Sequence, residues 1–223
     1  AAAALAGAMF MLAPPQGGSV TFVLWQWITA GGFSPSLSFS LDALSVVMIL
    51  VVTGVGFLIH LYSTRFMRDE EGYSRFFAYM NLFVGSMLIL VMASNLLLLY
   101  LGWEGVGLCS FLLIGFWYKD PANGRSARKA FIVTRIGDVS LAVGLFIIAT
   151  TLGTLDVREI TARVATDPAW QAGSALAVAV AALLLGGALG KSAQLPLQTW
   201  LPDAMAGPSP VSALIHAATM VTA

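Results

Sequence analysis

The sequence predicts an all-α polytopic membrane protein. About five complete transmembrane helices are expected, with truncated ones at both ends and one discontinuous helix near Lys191–Pro196. Three observations predict this class. The chain is 58% hydrophobic and only 10% charged, against about 45–50% and 25% in ordinary soluble domains. The charges are bunched between apolar runs. Five of those runs reach or approach the roughly 20 residues needed to cross about 30 Å of hydrocarbon at 1.5 Å per residue.

Taken in order, residues 1–13 (AAAALAGAMFMLA) lack the basic start of a signal peptide. They read as the tail of an earlier membrane helix, with a signal-peptide remnant as the alternative. Residues 14–40 are rich in Gly, Ser and Pro and carry no charge. Their alternating TFVLWQW and SLSFSL could pair as a short β-hairpin at the interface, where tryptophans prefer to sit. Residues 1–40 are thus set apart from a membrane domain at 41–223. The spans are expected at about Leu41–Tyr62, Phe76–Ala93, Asn95–Trp117, Ala130–Leu152 and Trp170–Gly190. STRFMRDEEGYSR is a charged loop and Ser94–Asn95 a tight turn. YKDPANGRSARK is expected to be a basic loop, with a Pro and an Asn-Gly turn. Leu155, Ile160 and Val164 suggest a weakly amphipathic helix lying in the interface. A sixth helix begins near Pro210, and the chain stops within it by pattern, as expected of a fragment.

The two loops around Arg65–Arg75 and Lys119–Lys129 share one side and hold seven Lys/Arg; the opposite side holds Arg158 and Arg163. The positive-inside rule puts the first side in the cytoplasm or its equivalent. Net charge is zero, and no basic tract points to nucleic acid. Cys109 is the one cysteine, which excludes an internal disulfide and a cysteine set for an iron–sulfur cluster or structural zinc. His60 and His216 have no metal-type neighbours in sequence. Neither a phosphate-binding loop nor a dinucleotide fingerprint occurs.

Four charged positions are not explained by loops: Glu104, Arg135, Asp138 and Lys191. Glu104 lies near the centre of its run with no basic residue within ten positions. A carboxylate there costs several kcal/mol without a partner, a proton or water. It is either a structural carboxyl that ties helices together or part of an ion or proton path. Gly102, Gly105 and Gly107 flank it, allowing close helix approach or room for water. Arg135 and Asp138, three apart, share a helix face. They form a local ion pair, or Asp138 holds a basic group on another helix. Lys191 either snorkels at the far boundary, about 30 Å along a helix from Trp170, or sits deep at a break made by Pro196. His216 is a packing residue or a proton relay. Burial disfavours the charged form of such groups and a nearby opposite charge favours it, so they would titrate as one set.

HLYSTRFMRDEEGYSRFFAYMNLF, NLLLLYLGWEGVGLCSFLLIGFWY, KAFIVTRIGDV and GKSAQLPLQTWLPDAMAGPSPVSALIHAATMVTA resemble the large antiporter-like subunit of respiratory complex I. This is subunit L of bacterial NADH:quinone oxidoreductases, chain 5 in mitochondria. The resemblance runs from about Leu41 to Ala223. It implies that Glu104 and Lys191 centre a proton half-channel, with the lysine at a helix break near Pro196. Asp138 would modulate that lysine and His216 would lead onward, with Arg135 and Gly105 in support. It also implies a translocase subunit with no redox chemistry and no cofactor on this chain. The implied partners are the other membrane subunits of complex I, the lipid bilayer and protons. The implied location is a bacterial inner membrane, or the mitochondrial one in a eukaryote. The resemblance implies two inverted repeats, of which this chain would hold most of the first, truncated. The large subunit of a multisubunit sodium/proton antiporter shares these strings and is the alternative; a membrane segment without a transport role is the third reading.

Overall fold

The computed structural model describes residues 2–222 except 14, 16, 30 and 32. Those four fall in the stretch read as an interfacial loop; they and the two terminal alanines lie outside the described residues.

Caps decide where the long helices begin. After α1 (Ala2–Leu12), strands β1 (Ser19–Gln26) and β2 (Ser36–Asp42) pair antiparallel, with an irregularity between Val23 and Trp25. Asp42 ends β2 and opens α2 (Ala43–Phe66): its carboxylate accepts from the Ser45 amide at 2.7 Å, and Ser45 Oγ accepts from the Asp42 amide at 2.7 Å. This reciprocal capping satisfies two donors that a helix start otherwise leaves unpaired. α3 (Tyr73–Met92) begins after Gly72, whose φ of 89° suits glycine alone. Asn95 caps α4 (Leu96–Ile114) by accepting from the Leu98 amide at 2.9 Å.

The α3–α4 turn is also where the hairpin docks. The Ser94 amide donates to the Ser38 carbonyl at 3.2 Å, the two serine hydroxyls touch, and Asn95 Nδ2 donates to the Ser36 carbonyl at 2.8 Å. On its other side the turn meets the segment before α6 (Val157–Thr166): Leu96 N donates to Leu155 O at 2.9 Å, and Val157 N to Ser94 O at 3.2 Å. α6 buries no residue in this chain.

Two expectations need correction. The basic stretch after Trp117 is mostly helix, not loop. α5 runs from Pro121 to Leu152, 32 residues, so Asn123 and Gly124 lie in its first turn. Asp120 accepts from the Ala122 amide at 2.8 Å. Pro121 then occupies the first helical position, where its fixed φ is already right and its missing N–H costs nothing. The same Asp-Pro pair that signals a turn also signals a helix start. At about 48 Å, α5 carries its basic end well beyond the hydrocarbon.

The second correction concerns the fifth expected span. Trp170 belongs to a 3₁₀ turn (Pro168–Trp170), Gly173 turns the chain at φ 88°, and Ser174 caps α7 (Ala175–Lys191). α7 has 17 residues, about 26 Å. Among the described residues, four helices are long and apolar enough to cross a membrane: α2, α3, α4 and α5. After α7 the chain passes through 3₁₀ turns at Gln198–Trp200 and Asp203–Ala206 to a short α8 (Ser209–Ala213), which runs on as a π-helical turn (Leu214–Ala218).

The closest packing joins α3 to α4 and α5 to α7. Glycines make both possible. A Cβ on Gly102 would lie 2.6 Å from the Leu90 backbone nitrogen. One on Gly137 would lie 2.9 Å from Gly186 O and 3.0 Å from Gly190 Cα. Without a hydrophobic drive between helices in lipid, such backbone approach is a main source of cohesion. Phe76, Phe83, Phe116, Met80 and Met87 fill the core. Lys191 is as deeply buried as they are.

Candidate functional site: a buried ion pair between three helices

The site is built where α4, α5 and the end of α7 meet. The α5–α7 glycine crossing puts Gly137 against Gly190, and each is followed immediately by an ionisable residue, Asp138 and Lys191. Lys191 Nζ donates to Asp138 Oδ2 at 3.3 Å, with both side chains only 1% exposed. α4 closes the third side. Trp103 Nε1 donates to the other oxygen, Asp138 Oδ1, at 2.6 Å, and its ring lies 5.8 Å from Lys191 Nζ. One turn on, Gly107 makes room for the ammonium: a Cβ there would lie 2.7 Å from Nζ.

Glu104 sits one residue from the middle of α4 and takes a different cation. Its Oε2 is bonded by Arg135 Nη1 of α5. Arg135 therefore serves Glu104 first, and its Nε is 4.0 Å from Asp138 Oδ2. The second oxygen, Glu104 Oε1, is buried with no hydrogen-bond partner among the described residues. Of the two readings for the Arg135–Asp138 pair, the geometry has Asp138 facing a base on another helix. The local contact is the longer one.

The end of α7 explains how a lysine is held at depth. With the helix starting at Ala175 rather than Trp170, Lys191 is only about 24 Å along it. The helix dipole favours a cation at this end. The freed carbonyls are satisfied from within. Gln194 N donates to Leu189 O at 3.0 Å, and the buried indole of Trp200 donates to Gly190 O at 3.0 Å. Between them Ala193 has φ 49°, the left-handed position that such helix ends usually give to glycine. Ala193→Gly is expected to stabilise the fold by up to about 1 kcal/mol, read as a raised unfolding midpoint in detergent. An unchanged or lowered midpoint counts against strain at this residue.

Pro196 lies in the turn between α7 and the Gln198–Trp200 segment. The helix ends five residues before it, at the Lys191–Ser192 cap. Gly105 packs against Ser86 of α3, whose hydroxyl would be 2.6 Å from an added Cβ. His216 lies in the π-helical turn and makes no hydrogen bond to the ion pair. Its ring centre is 6.2 Å from that of Trp200. Both ring nitrogens are buried without a partner among the described residues.

Sequence reading missed Trp103 and Trp200. A signal existed: an indole N–H inside an apolar run needs an acceptor, and Trp103 adjoins Glu104. It also missed Asp203, which meets Lys129 of α5 at 2.5 Å and fastens the segment after α7 to the basic end of α5.

Residues 93–223 match the family described as NADH:quinone oxidoreductase/Mrp antiporter, TM. The chain belongs to this family. Residues 27–77 match a second description, NADH-Ubiquinone oxidoreductase (complex I), chain 5 N-terminus. NADH-quinone oxidoreductase subunit L of Pseudomonas aeruginosa is 61% identical over 214 residues, covering 96% of this chain and 34% of that protein. Subunit L of Escherichia coli is 64% identical over 201 residues, covering 90% and 32%. The chain thus spans about a third of the length of the curated relatives it matches. Among solved structures, a chain of the Mrp complex from Dietzia sp. DQ12-45-1b superposes with a TM-score of 0.84 at 35% identity, over 99% of this chain and 24% of that one. Like the family, this chain is an integral membrane protein.

Proposed function

We propose that this chain carries protons across a bacterial inner membrane as part of a NADH:quinone oxidoreductase. The path is a half-channel centred on Glu104 and Lys191, coupled to quinone reduction in other membrane and peripheral subunits. The observation that carries this reading is the Lys191–Asp138 pair, 1% exposed on both sides at the C-terminal end of α7. Apolar residues of similar volume are often as stable as a buried ion pair, so a pair kept at such a place points to a role beyond stability.

Asp138 beside Lys191 favours the ammonium. Turning Asp138 towards Arg135, which is 4.0 Å from the same oxygen, leaves the ammonium unpaired in a dry site and favours release of its proton. Arg135 can answer because it already shares its charge between Glu104 and Asp138. The unpartnered Glu104 Oε1, an acceptor, and the two His216 nitrogens, one donor and one acceptor in the neutral ring, are the groups to which internal water would bind. His216 is then the onward station.

The test is Glu104→Gln in the membrane complex that carries this chain. Proton translocation is expected to fall sharply, with NADH oxidation lowered less or equally and assembly unchanged. Translocation at the wild-type rate would leave Glu104 as a structural carboxyl. A second reading, the large subunit of a sodium/proton antiporter, is favoured by the likeness to the Mrp complex chain. The identity to subunit L is higher, at 61–64% against 35%, and supports the first reading. Membrane vesicles separate the two: acidification driven by NADH supports the first, and a pH gradient collapsed by added sodium without NADH supports the second.

A further inference from the structure

We propose that Trp103 is a positioning residue whose indole N–H sets the resting orientation of the Asp138 carboxylate, with one oxygen addressing Lys191 in preference to Arg135; the turn towards Arg135 starts from this orientation. The inference deepens the proton-path reading and rests on it for its transport consequence, though not for its geometry.

Lys191 and Arg135 approach the same atom. Lys191 Nζ is 3.3 Å from Asp138 Oδ2 and Arg135 Nε is 4.0 Å from it. Arg135 is three residues away on the same helix, a spacing at which side chains meet without any tertiary help. The terminal torsion of an aspartate is broad and roughly two-fold. Nothing within the side chain itself therefore keeps Oδ2 on Lys191. Trp103 supplies the constraint by holding Oδ1 at 2.6 Å. A planar carboxylate with one oxygen tied down has little freedom left in the other.

The ring contributes a second term. It is buried, at 7% exposure, and lies 5.8 Å from Lys191 Nζ, within the range where a ring face attracts a cation. The same side chain thus bonds the acid and faces the base. Its neighbour Glu104 takes Arg135. Two consecutive residues of α4 therefore receive two residues of α5 that stand three apart, and each prevents the other pair from collapsing. Loss of Trp103 leaves Asp138 free to turn to Arg135, which loosens Arg135 from Glu104 as well.

The experiment compares the complex carrying Trp103→Phe with one carrying the benzothienyl analogue of tryptophan at position 103. The analogue has the shape of the indole, with sulfur in place of N–H. Both keep an aromatic ring under the ammonium and remove the donor; the analogue also keeps the volume, should phenylalanine fail to assemble. The Asp138 carboxylate band in infrared difference spectra is identified by its loss in Asp138→Asn. It is expected to move in both variants, and proton translocation to fall roughly tenfold, the scale of one hydrogen bond to a charged group. A band that stays in place in both variants overturns the positioning role. If the band moves while Lys191→Ala itself leaves translocation intact, the proton path falls and the positioning role stands.

Discussion

Asp138→Ala is expected to destabilise the protein by about 3–5 kcal/mol, the usual result of stripping one partner from a buried ion pair. Lys191 would be left with its ammonium 1% exposed, and the other nearby carboxylate, Glu104, is already paired with Arg135. Thermal or denaturant unfolding of the purified complex in detergent measures the loss. The double variant Asp138→Ala, Lys191→Met separates stability from function. With both charges gone and the lysine stem replaced by an apolar chain of similar length, most of the lost stability should return, because the penalty belongs to the unpaired charge. Proton translocation should not return. A double variant that pumps normally would reduce the pair to packing. A double variant as unstable as Asp138→Ala would mean that the carboxylate also holds Trp103, whose indole donates to it at 2.6 Å.

Gly137→Val should be nearly as damaging by a different route. Its Cβ would meet Gly186 O at 2.9 Å and Gly190 Cα at 3.0 Å. Both are backbone atoms and cannot rotate away. α5 and α7 must therefore separate, at a cost of about 1–3 kcal/mol or more. The separation falls on the site itself, since Asp138 and Lys191 each follow a glycine of this crossing. Translocation should drop even where enough protein assembles to be assayed. Gly124→Ala is the control: nothing lies within 4 Å of its added Cβ, and alanine is the better helix former. It should be neutral or slightly stabilising. If Gly137→Val behaves like Gly124→Ala in unfolding and transport, the crossing does not set the geometry of the pair.

The membrane class, the positions of α2, α3 and α4, and the oddness of Glu104 were all legible without coordinates. Apolar length and an isolated carboxylate are local properties of the chain. Element starts were harder. Asp120-Pro121 reads equally as a turn and as a capped helix, and the structure chose the helix, adding nine residues before Ala130. Trp170 read as the first residue of a span, but Gly173 and Ser174 begin α7 after it. This shortening places the lysine about 7.5 Å less far along its helix than the sequence suggested, at 1.5 Å per residue, and its 1% exposure argues against snorkelling.

Sequence by itself determined that this chain lies in lipid, which runs of it form helices, and which ionisable residues have no place there. Those are statements about transfer from water, and each residue type carries its own cost. Which charge answers which was decided only by the tertiary structure. Glu104 finds Arg135 at a separation of 31 residues, and Asp138 finds Lys191 at 53. Electrostatic partnership falls off with distance in space, not along the chain. That distance was set by glycines that let three helices touch and by an indole that no charge pattern could reveal.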